Sequence, residues 1–191
     1  RNEADQRGNL AELRRLLGGL GLETVSIWLS GGRFKDLADA AQAGTIVSLP
    51  YGRQAARILS ERTGAALVET RLPFGLEATE CFLRDVAAAT GRQARAEDFI
   101  RAELSRVVPG LKWMLPYLFF NRKTLFVGDP HLAEGFSEIA EDLGLRLSCC
   151  VVTGRAGRQG GPRGKSFPVL HEPGAASESF RRLLREPVDL A

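Results

Sequence analysis

Histidine and cysteine are scarce in this chain, with two of the first and three of the second among 191 residues. Neither His131 nor His171 stands in a ligand spacing such as HExxH or beside a CxxC, so no metal site built from this chain alone is expected. Three cysteines, two of them adjacent, do not make a disulfide framework, and a reducing interior is the expected compartment. Cys149 and Cys150 fall on a predicted strand, where neighbouring side chains point to opposite faces. They read as two small buried hydrophobes rather than as one ligand pair. Cys81 lies in a helical pattern among apolar neighbours, with no nearby His or Lys in the sequence to generate a thiolate. A G-x-S-x-G elbow, a P-loop and a G-x-G-x-x-G are also missing, which removes the usual nucleophile and nucleotide fingerprints. No apolar run approaches the ~18 residues of a membrane span. With no signal peptide at the start, the expectation is a cytoplasmic protein without membrane contact.

Strong charge of one sign is absent too. The formal charge is +3, with 26% charged and 44% hydrophobic residues, ordinary values for a globular protein able to build a substantial core. Much of the excess sits in Arg155, Arg158, Arg163 and Lys165, inside TGRAGRQGGPRGKS, which holds five glycines and no acidic residue. The rest is near balance, which argues against a nucleic-acid surface. The segment itself reads as a long solvated loop, with an anion clamp as its functional alternative.

What is present is alternation. Lys123 to Cys150 states a whole strand–loop–helix–strand unit. A β run, Thr124 to Val127, meets Gly128-Asp129-Pro130-His131; a helix follows with Leu132, Phe136, Ile139, Ala140 and Leu143 on one face. Gly144 supplies the left-handed stop, and Leu145 to Val152 the returning strand. Upstream, leucines at 10, 13, 17 and 20 mark a helix closed by glycines, and Thr24 to Leu29 reads as a strand. A short helix through Leu37, Ala40 and Ala41 comes next. A strand at 45–49, a helix at 52–63 with Ala56, Ile58 and Leu59 inward, and a strand at 65–72 follow. Short links between alternating helices and strands predict parallel sheets.

Beyond Pro73-Phe74-Gly75, a helix from 77 to 89 buries Phe82, Leu83 and Val86. Residues 96–108 form another, which Pro109-Gly110 is expected to break. Trp113, Tyr117, Phe119 and Phe120 read as interdomain core rather than as a cofactor-stacking cluster. After the glycine-rich loop, Phe167 to Leu170 suits a strand, Ala176 to Leu184 a helix, and Pro187 to Ala191 the start of a further strand. The domains expected are residues 1–95, a Rossmann-like α/β domain; 96–122, a helical connector; and 123–191, a second Rossmann-like α/β domain, truncated. The chain reads as a piece of a longer polypeptide.

Four stretches in fixed order then carry a resemblance: NLAELRRLLGGLGLETV (9–25), AGTIVSLPYGRQAARILSERTGAALVETRLPFGLEAT (43–79), FLRDVAAATGR (82–92) and KTLFVGDPHLAEGFSEIAEDLGL (123–145). The chain resembles the large subunits of the nitrogenase component 1 type oxidoreductases: nitrogenase, the scaffolds that mature its cofactor, and the dark-operative protochlorophyllide and chlorophyllide reductases. The resemblance implies a fold of doubly wound, mainly parallel α/β domains, of which this chain holds the second and part of the third. It also implies an oxidoreductase subunit, active only in a heteromeric complex with a homologous component 1 type subunit and an ATP-dependent iron-sulfur reductase. Electrons would pass through an iron-sulfur cluster to a substrate bound between domains. The cluster ligands belong mostly to the first domain, so this fragment is expected to bind no cofactor and to be inactive alone. Nitrogenase catalytic subunits carry a cofactor-anchoring cysteine where this sequence reads Ser48-Leu49-Pro50-Tyr51. A hydroxyl does not replace a soft thiolate. The departure favours a cofactor scaffold, a tetrapyrrole-type reductase or another relative over dinitrogen reduction. A generic α/β ligand-binding module is the remaining alternative.

Ligands of α/β sheets sit at the carboxyl ends of strands, so Leu49 to Arg53, Leu72 to Leu76 and Gly128 to His131 are expected on the ligand side. No residue is assigned catalysis or metal binding. The cofactor-binding candidates are Pro50, Tyr51, Arg53, Gly75, Gly128, Asp129 and His131. Arg53 offers a charge-assisted contact or is a solvated helix-start residue. Gly75 and Gly128 admit a close ligand or serve turns. Asp129 reads as a helix cap before it reads as an acid.

Overall fold

The computed structural model describes residues 6–28, 34–153, 167–171, 178–183, 185 and 189. The chain divides into two compact units: Arg1–Arg71 with Glu80–Leu104, and Leu72–Thr79 with Ser105–Ala191.

In the first unit the leucine stripe forms helix α1 (Gln6–Gly19), burying Leu16 and Leu20. Its end is closed by backbone bonds from Gly21 to Gly18 and from Leu22 to Leu17, which Gly21 permits at φ +71. A 3₁₀ segment, Phe34–Gln42, precedes strand β1 (Thr45–Ser48). Helix α2 (Arg53–Thr63) then crosses to strand β2 (Ala66–Glu69), which pairs parallel with β1 from Thr45↔Ala66 to Ser48↔Glu69. Helix α3 (Leu76–Thr90) from Glu80 onward and helix α4 (Gln93–Leu118) as far as Leu104 complete the unit. Phe82, Leu83, Val86, Ala96 and Ile100 join Leu16, Leu20 and Val68 in one core. Removing a side chain the size of Phe82 from water contributes roughly 3 kcal/mol.

In the second unit strand β3 (Lys123–Gly128), helix α5 (Pro130–Asp142) and strand β4 (Arg146–Val152) reproduce the strand–loop–helix–strand unit read from the sequence. Strand β5 (Val169–His171) extends the parallel sheet in the order β3-β4-β5, and helix α6 (Glu178–Leu183) follows. A bulge places Thr124 opposite Leu147 but Leu125 opposite Cys149, so Ser148 is the extra residue on β4. Ala133, Cys150 and Val152 form the inner core, with Phe126 and Leu147 packed on it.

Four expectations need correction. Thr24 to Leu29, read as a strand, joins no ladder over its described residues 24–28; the sheet of this unit holds β1 and β2 only among the described residues. Strand propensity is local, whereas a strand is defined by a neighbour. Ile58, placed inward on α2, is 48% exposed. The break at Pro109-Gly110 does not occur: α4 runs through Pro109 and Pro116. An interior proline costs about 3 kcal/mol, and the half-buried row of Val107, Leu111, Met114 and Leu115 runs past it, which offsets that cost. Finally, Trp113, Tyr117 and Phe120 are 74%, 72% and 68% exposed, so they are not core; Phe119 alone of the four is half-buried. Apolar character gave them an inward reading, but Trp113 and Tyr117 stand on the side of α4 away from the half-buried row. The glycine-rich loop at 154–166 and most of 187–191 lie outside the described residues.

Candidate functional site

The candidates of the first unit stand at the carboxyl end of β1. Leu49 is extended (φ −82, ψ 163), and Pro50 to Gly52 form a 3₁₀ turn that leads directly into α2. Tyr51 is half exposed at 50%, whereas Pro50 and Arg53 are half-buried. Arg53 is not a solvated helix-start residue. Its Nη2 donates to the Thr70 carbonyl at 3.0 Å and its Nη1 lies 3.2 Å from Glu69 Oε2, so it ties the loop after β1 to the end of β2. Arg57 holds the same carboxylate through two bonds of 2.7 and 2.9 Å. That pair keeps the Glu69 carboxyl below the usual carboxylate range, with Arg53 adding to the effect.

Residues 69–71 gather more polar chemistry than the sequence reading assigned to them. The buried Thr70 hydroxyl donates to Asp85 Oδ2 at 2.6 Å, and Arg71 Nη2 donates to Cys81 Sγ at 3.4 Å. Cys81 therefore has a cationic neighbour, supplied across the fold rather than along the chain. The one signal in the sequence is the polar triplet Glu69-Thr70-Arg71 closing an apolar strand.

In the second unit Gly128 ends β3, Asp129 links it to α5, and His131 stands in the first turn of that helix. Asp129 caps α5: its backbone is extended (φ −70, ψ 144), its Oδ1 accepts from His131 N at 2.9 Å, and Pro130 takes the first helical position. Val127 and Leu132, on either side of the turn, are 57% and 38% exposed. Gly75, just ahead of α3, is placed away from this turn, farther along α5. At φ +99 it lies against α5, where a Cβ would come within 2.9 Å of Ile139 Cγ1; one turn back, a Cβ on Gly135 would meet the Phe74 carbonyl oxygen at 2.8 Å. The close approach that Gly75 permits is therefore made by its own chain. Gly128 needs no positive φ, and the nearest atom to a Cβ there is Phe126 Cζ at 2.9 Å.

The donor chemistry is poor in soft ligands. Among the described residues no group of three His, Cys, Asp or Glu side chains could hold a metal ion. Cys149 and Cys150 are wholly buried in β4, and burial, with Cys149 beside it, pushes the Cys150 thiol up to about 12, away from the thiolate that a cluster requires. The described residues thus do not fit an iron-sulfur cluster. The strand-end turns carry the ring of Tyr51, the Arg53 guanidinium, the Asp129 carboxylate and the His131 imidazole, with Val127 and Leu132 exposed beside the second turn.

Two units of parallel strands with crossover helices define a Rossmann-like α/β protein. A sequence profile of the family described as Nitrogenase component 1 type Oxidoreductase matches residues 2–167, and the chain belongs to that family. It is 28% identical over 111 residues to the nitrogenase molybdenum-iron protein beta chain of Methanococcus maripaludis, covering 58% of this chain and 24% of that one. Over 87 residues it is 38% identical to a light-independent protochlorophyllide reductase subunit of Acidiphilium rubrum, covering 44% of this chain and 17% of the relative. Among solved structures, nitrogenase Cp1 at pH 5 superimposes with a TM-score of 0.69 at 16% identity, over 87% of this chain and 33% of that one. That likeness supports the fold. The chain spans about a quarter of the length of the nitrogenase beta chain it matches.

Proposed function

We propose that this chain is part of a redox subunit that takes electrons from an ATP-dependent iron-sulfur reductase and delivers them to a substrate held by the assembled subunit. The observation that carries the reading is the family match over residues 2–167, with relatives that include both a nitrogenase beta chain and a protochlorophyllide reductase subunit. A homologous component 1 type subunit is the second partner. Cluster binding and the electron-transfer step belong to residues outside this chain, because its own thiols are buried or engaged. Within the chain, Pro50, Tyr51 and Arg53 in the first unit and Gly75, Gly128, Asp129 and His131 in the second are proposed to face substrate or cofactor. Arg53 acts there by fixing the loop after β1, through Thr70 and Glu69.

The absence of a thiol in Ser48-Leu49-Pro50-Tyr51 supports a substrate other than dinitrogen, and it equally supports a second reading, a scaffold that carries a metal cofactor without turning it over. One preparation tests the redox reading. The full-length gene product, purified without oxygen together with its partner subunit, is expected to contain iron and to show an electron paramagnetic resonance signal of a cluster. Cluster-ligand cysteines ahead of residue 1 would account for it. Iron-free protein lacking such cysteines would sink the redox reading.

A further inference from the structure

One face of α4 is apolar and open. Trp113 and Tyr117, one turn apart and largely exposed, pack against each other with ring centroids 6.3 Å apart and planes at 48°. Phe120 continues the stripe, beside Gly144: a Cβ on that glycine would meet Phe120 Cδ2 at 2.9 Å, and Asn121 N donates to the Gly144 carbonyl at 2.8 Å. In the other direction Gly110 stands one turn before Trp113, with open space where a Cβ would be, and the exposed Arg106 stands two turns before it. All of these residues belong to the second unit.

The stripe carries charge of opposite sign at its ends. Arg106 and Lys112 make the early end basic, and no acidic residue occurs from Ser105 to Phe120. At the other end Glu141 and Asp142 lead into Gly144; both are exposed, as is Glu77. Desolvation, then the neighbouring carboxylates of Glu77 and Glu141, push the Asp142 carboxyl above its ordinary value, so the three acids share one corner.

We propose that this stripe is a two-fold interface with a second copy of the chain, α4 lying antiparallel on α4. An axis between Trp113 and Tyr117 sets Trp113 on the partner's Tyr117 and brings Phe120 over the open space at the partner's Gly110. Arg106 then reaches the partner's Glu141–Asp142 corner, and the same contact recurs across the axis. Such self-complementarity is what an isologous interface requires. A uniformly acidic partner or an anionic membrane would satisfy Arg106 and Lys112 but set like charge against the acidic corner; a second copy answers both ends. Rings at the centre with charges at the rim also match the anatomy of a specific interface. The exposed parts of the three rings offer roughly 300–500 Å². That is about half of the roughly 800 Å² that each side of a standard interface buries, and Pro109, Gly110 and the rim charges add to it. The inference goes beyond the redox reading and holds whether or not that reading does.

Sedimentation velocity of the full-length gene product, purified without its partner subunit, tests it. A dimer is expected at micromolar concentration. Trp113→Ala is expected to raise its dissociation constant by about tenfold or more. Arg106→Glu alone and Asp142→Lys alone are each expected to raise it by about tenfold, because each change acts twice across the axis. An equimolar mixture of these two charge variants is expected to return to within about threefold of the parent, since both contacts in the mixed dimer again join opposite charges. Damage to the fold of either variant would not give that recovery. A monomeric parent overturns the proposal, as does a dimer unmoved by Trp113→Ala. So does a mixture of the charge variants that associates no more tightly than either does alone.

Discussion

At the residue scale the glycines of the second unit divide by what surrounds them. A Cβ on Gly135 would meet the Phe74 carbonyl oxygen at 2.8 Å, a backbone atom that cannot swing away, while a Cβ on Gly75 would meet the Ile139 side chain at a position that already requires φ +99. Gly135→Ala and Gly75→Ala are each expected to destabilise by about 1–3 kcal/mol, through overpacking and backbone strain respectively. Gly44→Ala, with open space around it, should stay within about 0.5 kcal/mol. Urea titrations of the three variants check this ranking. Equal effects at all three would contradict the packing of Phe74-Gly75 on α5. The buried Cys150 thiol gives a pH prediction. Its folded pKa of about 12 lies above the ordinary value of 9.0, so the folded state holds its proton longer than the unfolded state does. Its contribution is complete below about pH 9 and is lost as pH rises toward about 12. Unfolding measured across that range should show a falling stability whose slope is reduced in Cys150→Ala. A thiol reagent applied to the native protein should modify Cys81 first.

At the element scale the cap on α5 is the clearest local device. Asp129→Ala removes the acceptor for His131 N and should cost about 1 kcal/mol, whereas Asp129→Asn should cost much less. Thermal melts decide between this structural role and a purely ligand-facing one, which would leave the free protein's stability unchanged. The same turn shows what was legible in the sequence. Asp-Pro ahead of an apolar helical stripe, and Gly144 after it, specify α5 through interactions a few residues long, and both ends fall where the pattern placed them. Thr24 to Trp28 failed because a ladder depends on a neighbouring strand that the segment does not encode. Pro109 misled because local propensity yields to a continuous half-buried stripe. The polar set around Thr70 was invisible for a related reason: Arg53, Asp85 and Cys81 reach it across ten to seventeen residues. Of the candidate site, the two strand-end turns were readable from sequence, but the tie between Arg53 and the end of β2 was not.

At the scale of the whole molecule, family membership rests on order rather than on any single motif. The stretches 9–25, 43–79, 82–92 and 123–145 fall inside the matched range of 2–167, and the fold agrees with a solved nitrogenase at a TM-score of 0.69. Function lies at a different level. The chain contributes two α/β units and the strand-end turns proposed to face a ligand, while the thiols it carries are unsuited to clusters. The 191-residue chain alone is accordingly expected to show no reductase activity and no bound iron, and a brown, iron-containing preparation of it would refute that. The central claim, a redox subunit served by an ATP-driven partner, is tested most directly by electron uptake. The full-length protein with its partner subunit is mixed, without oxygen, with the iron-sulfur reductase, and its cluster signal is followed before and after ATP is added. Reduction that depends on both ATP and the reductase is the predicted result; a cluster that stays oxidised with both present would contradict the account.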